Sequence, residues 1–264
     1  MSTYLLKGGA AAASRLKALA EAAWPMTRRA LELAGVSSGW CCLDVGCGAG
    51  HVAIELARLT GPEGRVVGED ADERILAVAR GNAEAAGVQV EFRQRDVLHS
   101  PDAGTFDLAY ARFLLSHLAD PVRGLAYLVE SVPPGGVVLV EDVDFRSHFC
   151  WPPSQAFERY DQLYRGTAQG LGADPLIGPR LAGLLLDAGL DDVQVEAVER
   201  LFSTGTGKLL PQLTMEHIRE AAVRSGATTN EEVDAIVAEL DRIRQDPRSI
   251  MGFPRVFQVW GLKV

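Results

Sequence analysis

The chain has 264 residues, 47% of them hydrophobic and 23% charged, with a formal net charge of −9. This balance excludes a disordered chain and suits one large α/β domain or two small ones. Its acidity, with Lys and Arg never forming a run, argues against nucleic acid as a standing partner.

No apolar stretch approaches the ~20 residues that span a bilayer. The N-terminus lacks the charged-then-apolar order of a secretory signal. A cytoplasmic protein without a membrane partner is therefore expected. Cys41, Cys42, Cys47 and Cys150 contain no C-x-x-C pair. Adjacent Cys41 and Cys42 point to opposite faces of a strand, so the cysteines read as small buried hydrophobes and no metal is expected.

In chain order, Leu16, Leu19, Ala20, Ala23 and Trp24 predict an amphipathic helix. Pro25 is expected to start or interrupt a second helix, running through Met26, Ala30, Leu31 and Leu33 to Gly35. Cys41 to Val45 reads as a buried strand, Val52 to Leu59 as a helix, and Arg65 to Asp70 as the next strand. Asp72 is the cap of a helix from about Glu73 to Ala86, stopped by Gly87. Strands follow at Val88 to Gln94 and Phe106 to Ala111, then a helix near Pro121 to Val132 and a strand at Val137 to Val143. Such alternation implies a parallel sheet with right-handed crossovers. The rest is less regular. Helices are expected at Pro152 to Leu171, Ile177 to Ala188, Leu213 to Ser225 and Glu231 to Asp246. Strands are expected at Val193 to Val198 and Arg255 to Lys263.

Three motifs carry chemistry. Leu43-Asp44-Val45-Gly46-Cys47-Gly48-Ala49-Gly50 joins a strand to a helix. Its glycines let the backbone pass close to a ligand. The spacing is G-x-G-x-G rather than the dinucleotide G-x-G-x-x-G, and Asp44 suits a cationic group better than a phosphate. Asp70 ends the next strand, where a carboxylate can accept both hydroxyls of a ribose. Glu69 competes, and Asp70 is favoured because it is nearer the strand end. Arg95-Asp96-Val97 follows the third strand, where a carboxylate and a backbone N–H suit an adenine edge. Ligands of open α/β sheets bind at that edge of the sheet.

These motifs, with Val67 to Asp70, Phe106 to Arg112 and Pro134-Gly135-Gly136-Val137, resemble the class I S-adenosylmethionine-dependent methyltransferases. The resemblance is to the branch of quinone-biosynthesis and natural-product enzymes, and it covers residues 25–145. It implies a doubly wound, Rossmann-like, mostly parallel seven-stranded sheet with an antiparallel last strand, N-terminal helices and an inserted helical lid. The expected organisation is a single domain: a helical cover at 1–38, a cofactor-binding core at 39–144, a lid and helix at 145–190, and C-terminal strands with inserted helices at 191–264. S-adenosylmethionine is the implied cofactor and S-adenosylhomocysteine the product. Gly46, Gly48 and Gly50 are assigned to the methionine moiety, Asp70 to the ribose, and Asp96 with Val97 to the adenine. Ala111 and Arg112 are placed beside the cofactor and Tyr4 over it.

A base is needed only if the acceptor must lose a proton. His117 in Leu114-Leu115-Ser116-His117-Leu118 is the candidate catalytic base, although relatives often read His-His-Leu here. Phe145, His148, Trp151, Phe157, Tyr160 and Tyr164 form the most aromatic stretch and are expected to line an apolar acceptor pocket. His51 is expected at the surface or as a cap; His99 and His217 carry no signal. The expected reaction is methylation of a small, partly apolar or aromatic acceptor, at oxygen first, with carbon or nitrogen close behind. Cyclisation or rearrangement with a structural cofactor stays open. A nicotinamide enzyme is disfavoured by glycine spacing, and an RNA or protein methyltransferase by charge. The N-terminal and inserted helices offer surfaces for a homodimer.

Overall fold

The computed structural model describes residues 10–97 and 101–264. In chain order the elements are α1 (Ala10–Leu33), β1 (Cys41–Val45), α2 (His51–Thr60), β2 (Arg65–Asp70), α3 (Glu73–Ala86), β3 (Glu91–Gln94), β4 (Leu108–Arg112), α4 (Pro121–Ser131) and β5 (Val137–Asp144). There follow β6 (Phe149–Trp151), α5 (Gln155–Gly170), α6 (Leu181–Asp187), β7 (Leu190–Val198), β8 (Leu201–Phe202), α7 (Leu210–Arg224), α8 (Asn230–Gln245), β9 (Ile250–Gly252) and β10 (Arg255–Lys263).

The main sheet has seven strands in the order β3-β2-β1-β4-β5-β10-β7. The first five pair in parallel, and β10 runs antiparallel to both β5 and β7. This is the expected architecture. Leu108–Ala111 of β4 and Val137–Val140 of β5 are buried apolar runs, as suits parallel strands covered on both faces. The strand order reverses between β1 and β4, and a crevice opens at the carboxyl ends of the strands at such a point.

Local chemistry sets the helix starts. Asp72 caps α3 by accepting from the Arg74 N–H at 3.0 Å. Asp120 caps α4 with Pro121 in its first turn, and Ser154 and Thr229 cap α5 and α8.

Two features depart from the expected elements. Pro25 neither starts nor breaks a helix, because α1 runs through it. Ala23, Met26, Ala30 and Leu31 stay buried on one face across the proline, so packing on both sides overrides its local preference. Second, a small antiparallel sheet, β6-β9-β8, ties residues near 150 to those near 201 and 251. Its strands are too short to show a sequence period.

The acidic run of β5 is consumed internally. Glu141 accepts from Gln258 Nε2 at 2.6 Å and from the Tyr110 hydroxyl; Asp142 accepts from the N–H groups of Ser116 and Val143 at 2.9 Å. Asp144 accepts from Arg146 Nε at 2.8 Å. Above the sheet, α5, α7 and α8 form a lid around a second core containing Phe157, Tyr160, Leu163, Met215, Ile218 and Val233. The insertion between β7 and β10 supplies two of these helices, α7 and α8.

Candidate functional site

The bend after β1 is pinned from below. The Gly46 and Cys47 N–H groups both donate to the Glu69 carbonyl, at 2.7 and 2.9 Å. Gly46 has φ of 70°, and a Cβ there would lie 2.9 Å from Leu114 Cδ1. A side chain at that position would be strained and crowded at once.

Asp70 is held by the loop it faces. Gly48 N–H donates to its Oδ2 and Asp72 N–H to its Oδ1, both at 3.0 Å. Burial raises its pKa and these donors oppose the rise. Strand alternation sends Glu69 the other way. There it accepts from the Tyr127 hydroxyl at 2.6 Å and lies 3.5 Å from Arg95 Nε. Of the two carboxylates, Asp70 is the one turned towards the glycine bend.

Asp44 is 2% exposed, and its Oδ2 has no hydrogen-bond partner among the described residues. Burial pushes its pKa up to about 7 against the pull of Arg112 and the Ala53 N–H. An orphaned carboxylate oxygen at the glycine bend suits a cationic ligand group.

All of these open into one cavity of about 1230 Å³. Gly46, Gly48, Asp70, Asp96, Val97 and Arg112 line its strand-tip half, together with Asp44. Arg112 donates to Thr27 Oγ1 at 3.0 Å, which ties β4 to α1. The next residue, Phe113, has φ of 54°, rare for a bulky side chain, and also lines the cavity.

The other half is built from the lid, from α1 and from the 3₁₀ turn Leu115–His117. Phe145, His148, Tyr160 and Tyr164 line it. Phe145 stacks on Tyr164 with ring centroids 4.4 Å apart. His148 Nδ1 lies 3.0 Å from Asp161 Oδ1, and Arg165 lies 2.8 Å from the other Asp161 oxygen. His117 lines the same half, where burial, with the charges of Arg15 and His217, lowers its pKa to about 4.

Four expected positions lie off the cavity wall. Gly50 turns towards the α3 side, where a Cβ would sit 2.8 Å from Phe92 Cζ. Ala111 is buried in the sheet core. Phe157 packs behind His148, with centroids 4.7 Å apart. Trp151 is 59% exposed on β6. Ala111, Phe157 and Trp151 are close in the chain but their side chains face another way, and Gly50 makes room for Phe92. Tyr4 lies outside the described residues.

The cavity also contains residues the sequence reading passed over. His51, expected at the surface or as a cap, opens α2 and lines the cavity, and burial lowers its pKa. His217 projects from α7, and Arg15 from α1. Periodicity shows that such residues lie on helices, but not that those helices meet. Among the described residues, no group of three or more His, Cys, Asp or Glu side chains could hold a metal ion, and no helix is long and apolar enough to cross a membrane.

Comparison with known proteins agrees with this geometry. Residues 37–171 match the family described as "Methyltransferase domain". The chain is 32% identical over 140 residues to a ubiquinone/menaquinone biosynthesis C-methyltransferase, UbiE, of Marinomonas sp., covering 51% of this chain and 53% of that protein. It is 35% identical over 136 residues to methyltransferase GfsG of Streptomyces halstedii, covering 50% and 48%. The matches thus span about half the length of these relatives. Among solved structures, the [4+2]-cyclase SpnF is similar in fold, with a TM-score of 0.56 at 18% identity, covering 92% of this chain and 82% of that one. With the family match spanning just over half its length, the chain belongs to the methyltransferase-domain family, as its glycine bend and acidic strand tips led us to expect.

Proposed function

We propose that this protein transfers a methyl group from S-adenosylmethionine to a small, partly apolar or aromatic acceptor, with oxygen the favoured atom. The observation that carries the reading is the single cavity with two chemically distinct halves. Its strand-tip half fits the cofactor. Asp70, fixed by two N–H donors, offers free lone pairs to a ribose diol. Asp96 and Val97 line the same half and are assigned the adenine edge, and the orphaned Asp44 oxygen suits the ammonium group.

When bound, the cofactor supplies an activated methyl on a sulfonium. The residues of the chain have the task of alignment, which can contribute about 7–11 kcal/mol. Gly46 and Gly48 set the close approach, and the stacked Phe145 and Tyr164 present a flat apolar wall to an acceptor ring. Two histidines could take a hydroxyl proton. His117 is deprotonated at neutral pH but, with a pKa lowered to about 4, is a weak base. His148 has Nδ1 engaged by Asp161, which leaves Nε2 as the accepting nitrogen and orients the ring. His148 is the stronger candidate on this ground.

The name of the UbiE relative supports carbon as the second choice of acceptor atom. The net charge of −9 disfavours RNA. The fold likeness to a [4+2]-cyclase supports a second reading, in which the cofactor is structural and the lid half catalyses a rearrangement. Mass spectrometry of reactions with phenolic acceptors tests both. A mass gain of one methyl with S-adenosylhomocysteine formed supports methyl transfer; an isomer of unchanged mass, separated by chromatography before detection and formed without S-adenosylhomocysteine, supports the second.

A further inference from the structure

Four arginines line the cavity: Arg15, Arg74, Arg95 and Arg112. Arg74 pairs with Asp72 at 2.8 Å, Arg95 with Asp102 at 3.1 Å, and Arg112 donates to Thr27 at 3.0 Å. Arg15 differs. It is 7% exposed, its Nε is buried without a hydrogen-bond partner, and among the described residues no carboxylate pairs with it. A buried cation without a counter-charge is costly, so its place in the wall of a cavity points to a ligand that answers it.

The position of Arg15 says which ligand. Its neighbour Leu16 faces the glycine bend, where a Cβ on Gly48 would lie 3.6 Å from Leu16 Cδ1. One residue along a helix is a rotation of about 100°. Arg15 accordingly acts on the other half of the cavity. Its charge lowers the pKa of His117 and His217 and opposes the rise at Tyr160 and Tyr164. The lining carboxylates Asp44, Asp70, Asp72, Glu73, Asp96 and Asp120 come from the strand tips and the segments after them, and the lid contributes none. Nearby Asp161 is occupied by His148 and Arg165.

We propose that Arg15 receives an anionic group of the methyl acceptor, so that the acceptor is a small aromatic acid rather than a neutral arene. The proposal rests on the methyltransferase reading and narrows it. The carboxylate enters beside Arg15, and the ring lies along Phe145 and Tyr164.

The test is calorimetry on the full chain loaded with S-adenosylhomocysteine, titrated with benzoate, 4-hydroxybenzoate and 3,4-dihydroxybenzoate and with their carboxamides. The expected result is that the acids bind roughly 10- to 150-fold more tightly than the amides. Arg15→Met removes the preference, Arg15→Lys keeps part of it, and both bind S-adenosylhomocysteine as the wild type does. Arg15→Met also raises the Tm of the ligand-free protein, because an unanswered buried charge is gone. Equal binding of acids and amides, or no binding of either, overturns the proposal, as does a lowered Tm. Weaker binding of S-adenosylhomocysteine but not of methylthioadenosine in Arg15→Met also overturns it, since Arg15 then serves the carboxylate of the cofactor. A wild-type chain that binds no S-adenosylhomocysteine overturns the methyltransferase reading and this inference with it. Binding of S-adenosylhomocysteine without an acid preference overturns the inference alone.

Discussion

The two halves of the cavity are built by different means. The strand-tip half is held by backbone: Asp70 by the Gly48 and Asp72 N–H groups, the glycine bend by the Glu69 carbonyl. The lid half is held by side chains from distant segments, with Arg15 on α1, His117 beyond β4, His148 beyond β5, Tyr164 on α5 and His217 on α7. A site fixed by sheet backbone can keep one ligand while a site fixed by packed side chains changes its partner.

Four experiments break or sharpen the contrast. His148→Gln should lower kcat on a phenolic acceptor by about 10²–10⁴-fold, the usual range for a general base, with cofactor affinity unchanged. An equal loss in cofactor affinity would show that the halves are not separable. Asp70→Ala should weaken S-adenosylmethionine binding about 10- to 150-fold by calorimetry, through loss of charged hydrogen bonds, and leave binding of an aromatic acid to the lid half intact.

The third effect is at most tenfold per pH unit and concerns Asp44. Its raised pKa, about 7, means that it holds a proton in the folded, ligand-free chain at pH 5 and is charged at pH 8. Its contribution to stability is therefore present at low pH and lost as the pH rises through about 7. Affinity for the cationic cofactor should instead rise between pH 6 and 7.5, and Asp44→Asn should flatten that rise in pH-resolved calorimetry. The smallest effect on binding is expected for Tyr127→Phe. It leaves buried Glu69 short of a donor and should cost about 1–3 kcal/mol in chemical denaturation. Cofactor affinity should stay within about twofold, because Glu69 faces away from the cavity.

Much of the strand-tip half was legible in the sequence because its signals are local. The glycine bend, Asp70 and Asp96 each follow directly on a short apolar run, and strands of a parallel sheet present their ends on one edge. Nearness to the strand end was the ground for preferring Asp70 to Glu69. Legibility failed where a neighbour in sequence is not a neighbour in space. Trp151 was expected in the pocket because it sits among aromatics, but β6 pairs with β9 and turns it to solvent. Gly50 was grouped with Gly46 and Gly48, but it makes room for Phe92 instead. Pro25 was read as a boundary, and the packing of α1 on either side overrode it.

By itself, the sequence determined the sheet, its glycine bend and the order of its acidic tips. Each of these depends on residues a few positions apart and on the fixed geometry of a strand. Only the tertiary structure decided what stands opposite them: Arg15, unpaired among the described residues, the His148–Asp161 pair and His217. These groups are brought together by α1 and the lid helices packing over the sheet. That packing is a property of faces meeting, and no run of neighbouring residues encodes it.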